Sequence, residues 1–253
     1  MEESMKMTTS VLKNTLLCLL LGAISLNATA KGNEVPGSFP AKYIQQKHEY
    51  RKANCKKSSC PRVSVQLDSL EQYPALNAQL DSKIVGLLSP STKFSSIAAF
   101  SSDFVKNSGT GAWLTLEKSV IRQQWPLITF RISTAVYYGK DTGEAEEDQF
   151  WYVYDVRQQK ALKLPSLILP GREKPFRQVY EQQFRLMVQQ KIKDAETAMQ
   201  IPFVETDDFM LDADCLRLHY NGYAIDGFGA SDAELCLPYA KLKGILDPVW
   251  LSR

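Results

Sequence analysis

Apolar and polar positions change period several times along this chain, and each change marks an element. PRVSVQL, beginning at Pro61, alternates as a strand does. YPALNAQLDSKIVGLL follows with Leu76, Leu80, Ile84, Leu87 and Leu88 at helical spacing and Asn77 as a cap or first-turn residue; SIAAFSSDFVKN extends this helical layer until Gly109-Thr110-Gly111 ends it. WLTLEKSVIRQQ, LITFRISTAVYYG and QFWYVYDV are rich in β-branched and aromatic residues with turn signals between them, and read as strands in antiparallel succession. From Pro175 to about Met199 the period is helical again. Phe176, Val179, Tyr180, Phe184, Met187, Val188 and Ile192 share one face with Gln, Arg and Lys elsewhere, the pattern of a helix laid on a sheet. Pro175 near its start and Pro202 beyond its end suit helix ends. Between Phe209 and Leu246 come a strand carrying Leu216, Leu218 and Tyr220, a Gly-rich turn, a short strand LCLPY and a final helix. The order β-α-β-β-β-α-β-β-α predicts an α+β fold, an antiparallel sheet with helices packed on one face.

The N-terminal segment has a different character. Lys6 and Lys13 supply positive charge, LLCLLLGAISL is a short apolar core, and Ala28-Thr29-Ala30 is a small-residue cleavage site. Residues 1–30 are therefore expected to be a signal peptide, with the mature chain starting at Lys31 in the periplasm or secreted. The apolar run falls short of the roughly 18–20 residues that span a bilayer. Residues 31–60 read as a linker and basic leader, in which Lys42 to Cys60 fits a short helix interrupted by the CKKSSC loop. Residues 61–253 form the α+β domain, with an N-terminal half to about residue 165 and a C-terminal half from about residue 166.

Composition narrows the function. Net charge is +2, so no global field calls for nucleic acid. The charge is uneven: Lys42, Lys47, Arg51, Lys52, Lys56, Lys57 and Arg62 crowd the leader, whereas Asp141, Glu144, Glu146, Glu147 and Asp148 form an acidic cluster. With Cys18 lost in the signal, Cys55, Cys60, Cys215 and Cys236 remain, an even count that reads as two disulfides with three connectivities open. Their spacing lacks the paired C-x-x-C form and His48 and His219 are far apart, so no metal is expected. His219 alternates onto the same side as Cys215 and Arg217, away from Leu216, Leu218 and Tyr220, and reads as a paired surface or sheet-face histidine. The neighbouring carboxylates Asp207/Asp208, Asp212/Asp214 and Glu146/Glu147 suit turns and solvent. No phosphate loop, dinucleotide fingerprint or zinc-protease helix occurs, and Gly227-Phe228-Gly229 reads as a turn. No catalytic residue and no cofactor is assigned.

Several motifs carry a family resemblance. The aromatic residue ahead of DADCL, the YNGYAIDGFGA turn with Tyr223 and Gly229, the LPYAKLKGIL close, Tyr73-Pro74 before a helix, and the leucine-rich QQKALKLPSLILPG resemble the RsiV-like extracellular domain. That domain of unknown function is shared by lysozyme-sensing anti-sigma factors and some peptidoglycan deacetylases. The likeness runs from about Pro61 to Pro248 and implies an exported bacterial α+β domain; no deacetylase catalytic domain accompanies it. It places Cys215 and Cys236 on neighbouring strands, and with the small loop closed by Cys55 and Cys60 it favours the pairs Cys55–Cys60 and Cys215–Cys236. Where the family carries a histidine after a tyrosine-containing strand, this chain has Tyr137 to Glu144 without one, which removes any role tied to that histidine. The resemblance implies recognition of lysozyme or another cationic envelope protein, at most the sensing half of those regulators. The residues expected to bind are Tyr138, Asp141, Glu144, Glu146, Glu147, Asp148 and Trp151, an acidic loop with aromatic anchors, although alternation along the strand leaves at least one of Trp151 and Tyr152 as packing. The alternatives are a cell-wall glycan or peptide hydrolase using the acidic residues from Asp207 to Asp214, and a structural envelope-assembly factor.

Overall fold

A computed structural model of the chain describes residues 39–251 apart from 54, 56, 58, 90–92, 140–144 and 230. The expected signal peptide, the linker up to residue 38, Asp141 and Glu144 lie outside the described residues.

Two sheets carry the fold. The larger has the order β1 (Tyr43–Arg51), β2 (Arg62–Leu70), β3 (Trp113–Gln124), β4 (Leu127–Tyr137), β5 (Glu146–Asp155), β6 (Lys160–Ala161). The smaller has the order β7 (Phe209–Leu211), β8 (Cys215–Tyr220), β9 (Ala233–Pro238). Every pairing is antiparallel except β2 with β3, which is parallel. A parallel pair needs a long crossover, and α1 (Pro74–Leu88) and α2 (Ile97–Asn107) supply it. The α+β class expected from the sequence is observed, with the strands divided between a mixed sheet and an antiparallel one. The parallel pairing is set by the crossover and has no signature in hydrophobic alternation.

Each sheet has its own core. Val63, Val65, Leu67, Leu114, Leu116, Ile128, Phe130 and Ile132 are buried on one face of the large sheet against Leu76, Leu80 and Ile84 of α1 and Phe104 of α2. Asn77 ties the β2–α1 turn: its side chain accepts the Leu70 N–H at 3.0 Å and donates to the Leu70 carbonyl at 2.8 Å. The second core lies between the small sheet, the far side of β5 at Trp151 and Val153, and α3 (Glu173–Lys191) with buried Phe176, Tyr180, Phe184 and Val188. The tyrosine hydroxyls of Tyr180 and Tyr220 meet at 2.7 Å inside it, and burial pushes the Tyr180 phenol up to about 12.

The structure corrects two expectations. The segment fitted as a short helix from Lys42 is strand β1, whose residues are all exposed except half-buried Tyr50. With only Tyr50 packed against the core, no apolar period marks it. The helix expected from Pro175 to Met199 is α3 followed by a separate α4 (Ala195–Gln200). Asp194 interrupts it by capping α4, accepting the Thr197 N–H at 2.7 Å. The last helix, α5, spans Tyr239–Leu242. Both expected disulfides are present, with Cα atoms 5.9 Å apart for Cys55–Cys60 and 5.6 Å for Cys215–Cys236.

Candidate functional site

The site begins with an unpaired strand edge. β4 pairs with β5 along its length, but on the other side β6 reaches only Tyr154 and Asp155. The outward N–H groups nearer the start of β5 still need acceptors. The small sheet supplies them from side chains: the Gln149 N–H donates to Asn221 Oδ1 at 3.2 Å and the Trp151 N–H to Asp208 Oδ1 at 2.7 Å. The two sheets are joined by these capping groups.

A histidine continues the chain of bonds. Asp208 Oδ2 lies 2.8 Å from His219 Nδ1, and the His219 backbone N–H donates to the Asp208 carbonyl at 2.9 Å. On the other side of the ring Nε2 lies 3.3 Å from Asp232 Oδ2, with the Gln149 amide at 3.4 Å. Asp232 is itself held by the Gly222 N–H at 2.9 Å, and the Trp151 ring lies 5.3 Å from the imidazole. His219 is buried. Burial works to lower its pKa, but hydrogen bonds to and charges on Asp208 and Asp232 outweigh it and the net shift is upward. Protonated, the ring donates to both carboxylates.

Beside this joint is an open groove of about 210 Å³, whose lining includes Thr115, Ser133, Glu147, Asp148, Gln149 and Asp232. Asp148 also accepts from the Asn221 amide. Its carboxyl is held above the ordinary aspartate range by burial, and further raised by Asp208 and Asp232; a hydrogen bond from Gln149 and the nearby His219 oppose this. Among the described residues neither Glu147 nor Asp148 has an ion pair with a lysine or arginine. The groove thus gathers the carboxylates of Glu147, Asp148 and Asp232 beside the single imidazole of His219. Cationic groups are the ligand chemistry it favours.

The expected binding residues separate by face. Glu146 is aligned with Val136, Glu147 with Ala135 and Asp148 with Thr134, all on strand β5 and not on a loop. Alternation sends Glu146 towards the helix-covered side, where its charge acts on exposed Tyr138 and where Tyr138 meets Phe104 at 6.3 Å between ring centroids. Glu147 faces the open side and lines the groove; Asp148 alternates to the same side as Glu146 but also lines the groove, where Asn221 at the unpaired edge of β5 donates to it. Trp151, expected as an anchor, is only 8% exposed and packs in the second core. Residues not singled out as binders enter instead: Asp232, Asn221, Gln149 and Ser133. Tyr223 stands 73% exposed on the β8–β9 connection next to Gly222, with φ of 63°. Of the acidic residues proposed for a hydrolase, Asp208 and Asp212 are engaged in the joint. Asp208 binds the β5 edge and His219, while Asp212 at the other end of β7 accepts from Arg122 at 2.8 Å and Arg217 at 2.6 Å. Hydrogen bonds from Arg217 and the Ala213 N–H hold the Asp212 carboxyl below the ordinary range.

No family model matches the chain, and no curated protein matches it. Solved structures do. A DUF3298 family protein from Pseudomonas aeruginosa PAO1 superposes with a TM-score of 0.75 at 23% identity, covering 83% of this chain and 96% of that one. A DUF3298 family member from Bacteroides fragilis NCTC 9343 gives a TM-score of 0.61 at 15% identity, with the same 83% and 96% coverage. The chain shares the fold of these proteins. At such identity the likeness concerns fold alone.

Proposed function

We propose that this chain is an exported domain that binds a cationic protein or cell-wall ligand through the acidic groove between its two sheets. The observation that carries the reading is the convergence of Glu147, Asp148 and Asp232 around one cavity, with the charge on Asp148 penalised first by burial and further by Asp208 and Asp232. A lysine or arginine entering there relieves that repulsion. Two disulfides and the signal-like leader support export. Among the described residues no helix is long and apolar enough to cross a membrane.

The RsiV-like resemblance makes lysozyme the first ligand to test. Binding is favoured over hydrolysis through Asp207 to Asp214 because Asp208 and Asp212 are held in bonds that join the sheets. The test is surface-binding kinetics against lysozyme at low and high ionic strength. Association should slow as salt rises, since the groove's field is screened over about 8–10 Å at physiological salt. No binding at micromolar protein would remove lysozyme as the ligand.

A further inference from the structure

Strand β1 is the outer strand of the large sheet, paired with β2 from Tyr43 opposite Leu70 to Arg51 opposite Arg62. Among the described residues no strand covers its other edge, and nearly every side chain on it is exposed. A long open edge is a template for another strand, and the usual defence is a charged residue such as Lys47 that would meet an unfavourable partner. On this strand the defence fails in one register.

We propose that the β1 edge is covered by the same edge of a second copy of this chain, antiparallel, with His48 facing its own counterpart at a two-fold axis. Gln45–Arg51 of one copy then lies along Gln45–Arg51 of the other, and Lys47 of each stands directly opposite Glu49 of the other. Residues directly opposite share a face, so α1 and α2 of both copies lie on one side of the joined sheet. The charge pattern selects this register. Sliding the copies one way sets Lys47 against Lys47; sliding them the other way sets Glu49 against Glu49 and Lys47 against Arg51. Glu49 is prepared for the contact: Arg51 Nε and Nη2 both bond its Oε1, at 3.0 and 2.6 Å, leaving Oε2 for the second copy's Lys47. The two-fold axis makes each contact twice.

The edge is remote from the groove at β5, so this inference stands apart from the proposed ligand. Sedimentation equilibrium of the purified protein at low ionic strength tests it. The protein should dimerise, and Lys47→Glu or Glu49→Lys alone should weaken dimerisation by about tenfold or more by placing like charges opposite each other. The double variant Lys47→Glu with Glu49→Lys should restore it, which neither a folding defect nor a general change in net charge would do. A monomer at every concentration overturns the proposal. So do single variants that dimerise normally, or a double variant as weak as the singles.

Discussion

Lys118 is fully buried on the helix-covered face of the large sheet, and its ammonium reaches Asp81 of α1 at 2.7 Å. Replacing Asp81 with Ala leaves that cation without its partner in the core. Breaking a buried pair from one side costs about 3–5 kcal/mol; because Asp81 is partly open to water, the loss should fall near the low end, read as a lower urea midpoint with an unchanged slope. Trp151 behaves as a core residue and not as a contact. Trp151→Ala should lower stability by about 3–5 kcal/mol in the same measurement, with any change in ligand binding following the loss of fold. Tyr223 is the opposite case: 73% exposed on the β8–β9 connection, it should be replaceable by Ala with little change in melting.

At the scale of elements, the small sheet meets the large one through two ionic joints that titrate in opposite directions. His219 has its pKa raised by Asp208 and Asp232 against the opposing effect of burial, so its contribution is complete below the ordinary value of 6.5 and fades as pH rises through the raised folded value. Asp212 has its pKa lowered by Arg217, so its contribution is complete above the ordinary value of 3.8 and fades as pH falls through the lowered one. Asp148, raised by burial, adds to the preference for acid. Stability measured by urea unfolding across pH should therefore peak between the ordinary aspartate and histidine values, 3.8 and 6.5. His219→Gln should flatten the alkaline side of that peak and leave the acid side. These joints also mark where the sequence is readable. β2 to β5 and α3 are legible because one buried face imposes a period on each. β1 is silent because only Tyr50 packs against the core, and the division into two sheets is silent because it depends on which strand edges meet. Glu147 and Asp148 stand out as part of an acidic run, but only the register of β5 against β4 separates Glu147 from Glu146. Asn221 and Asp232 join them from a distant turn, and no local pattern signals that.

At the scale of the molecule, charge is sorted to opposite edges of the large sheet. Strand β1, with Lys47 and Arg51 against Glu49, lies at one edge, and the acidic groove lies where β5 meets the small sheet. On the proposed reading a cationic partner would be steered towards the acidic end, and the salt dependence expected for lysozyme follows from that. The most direct measurement compares two neighbouring charge reversals, Glu146→Lys and Glu147→Lys, in association kinetics with lysozyme at low ionic strength. The two substitutions change net charge equally, but their side chains occupy opposite faces of β5. The account expects Glu147→Lys to slow association by about tenfold or more while Glu146→Lys has a small effect, because only the former places a cation in the groove. Equal slowing by both, or a larger loss from Glu146→Lys, would contradict the groove as the binding site.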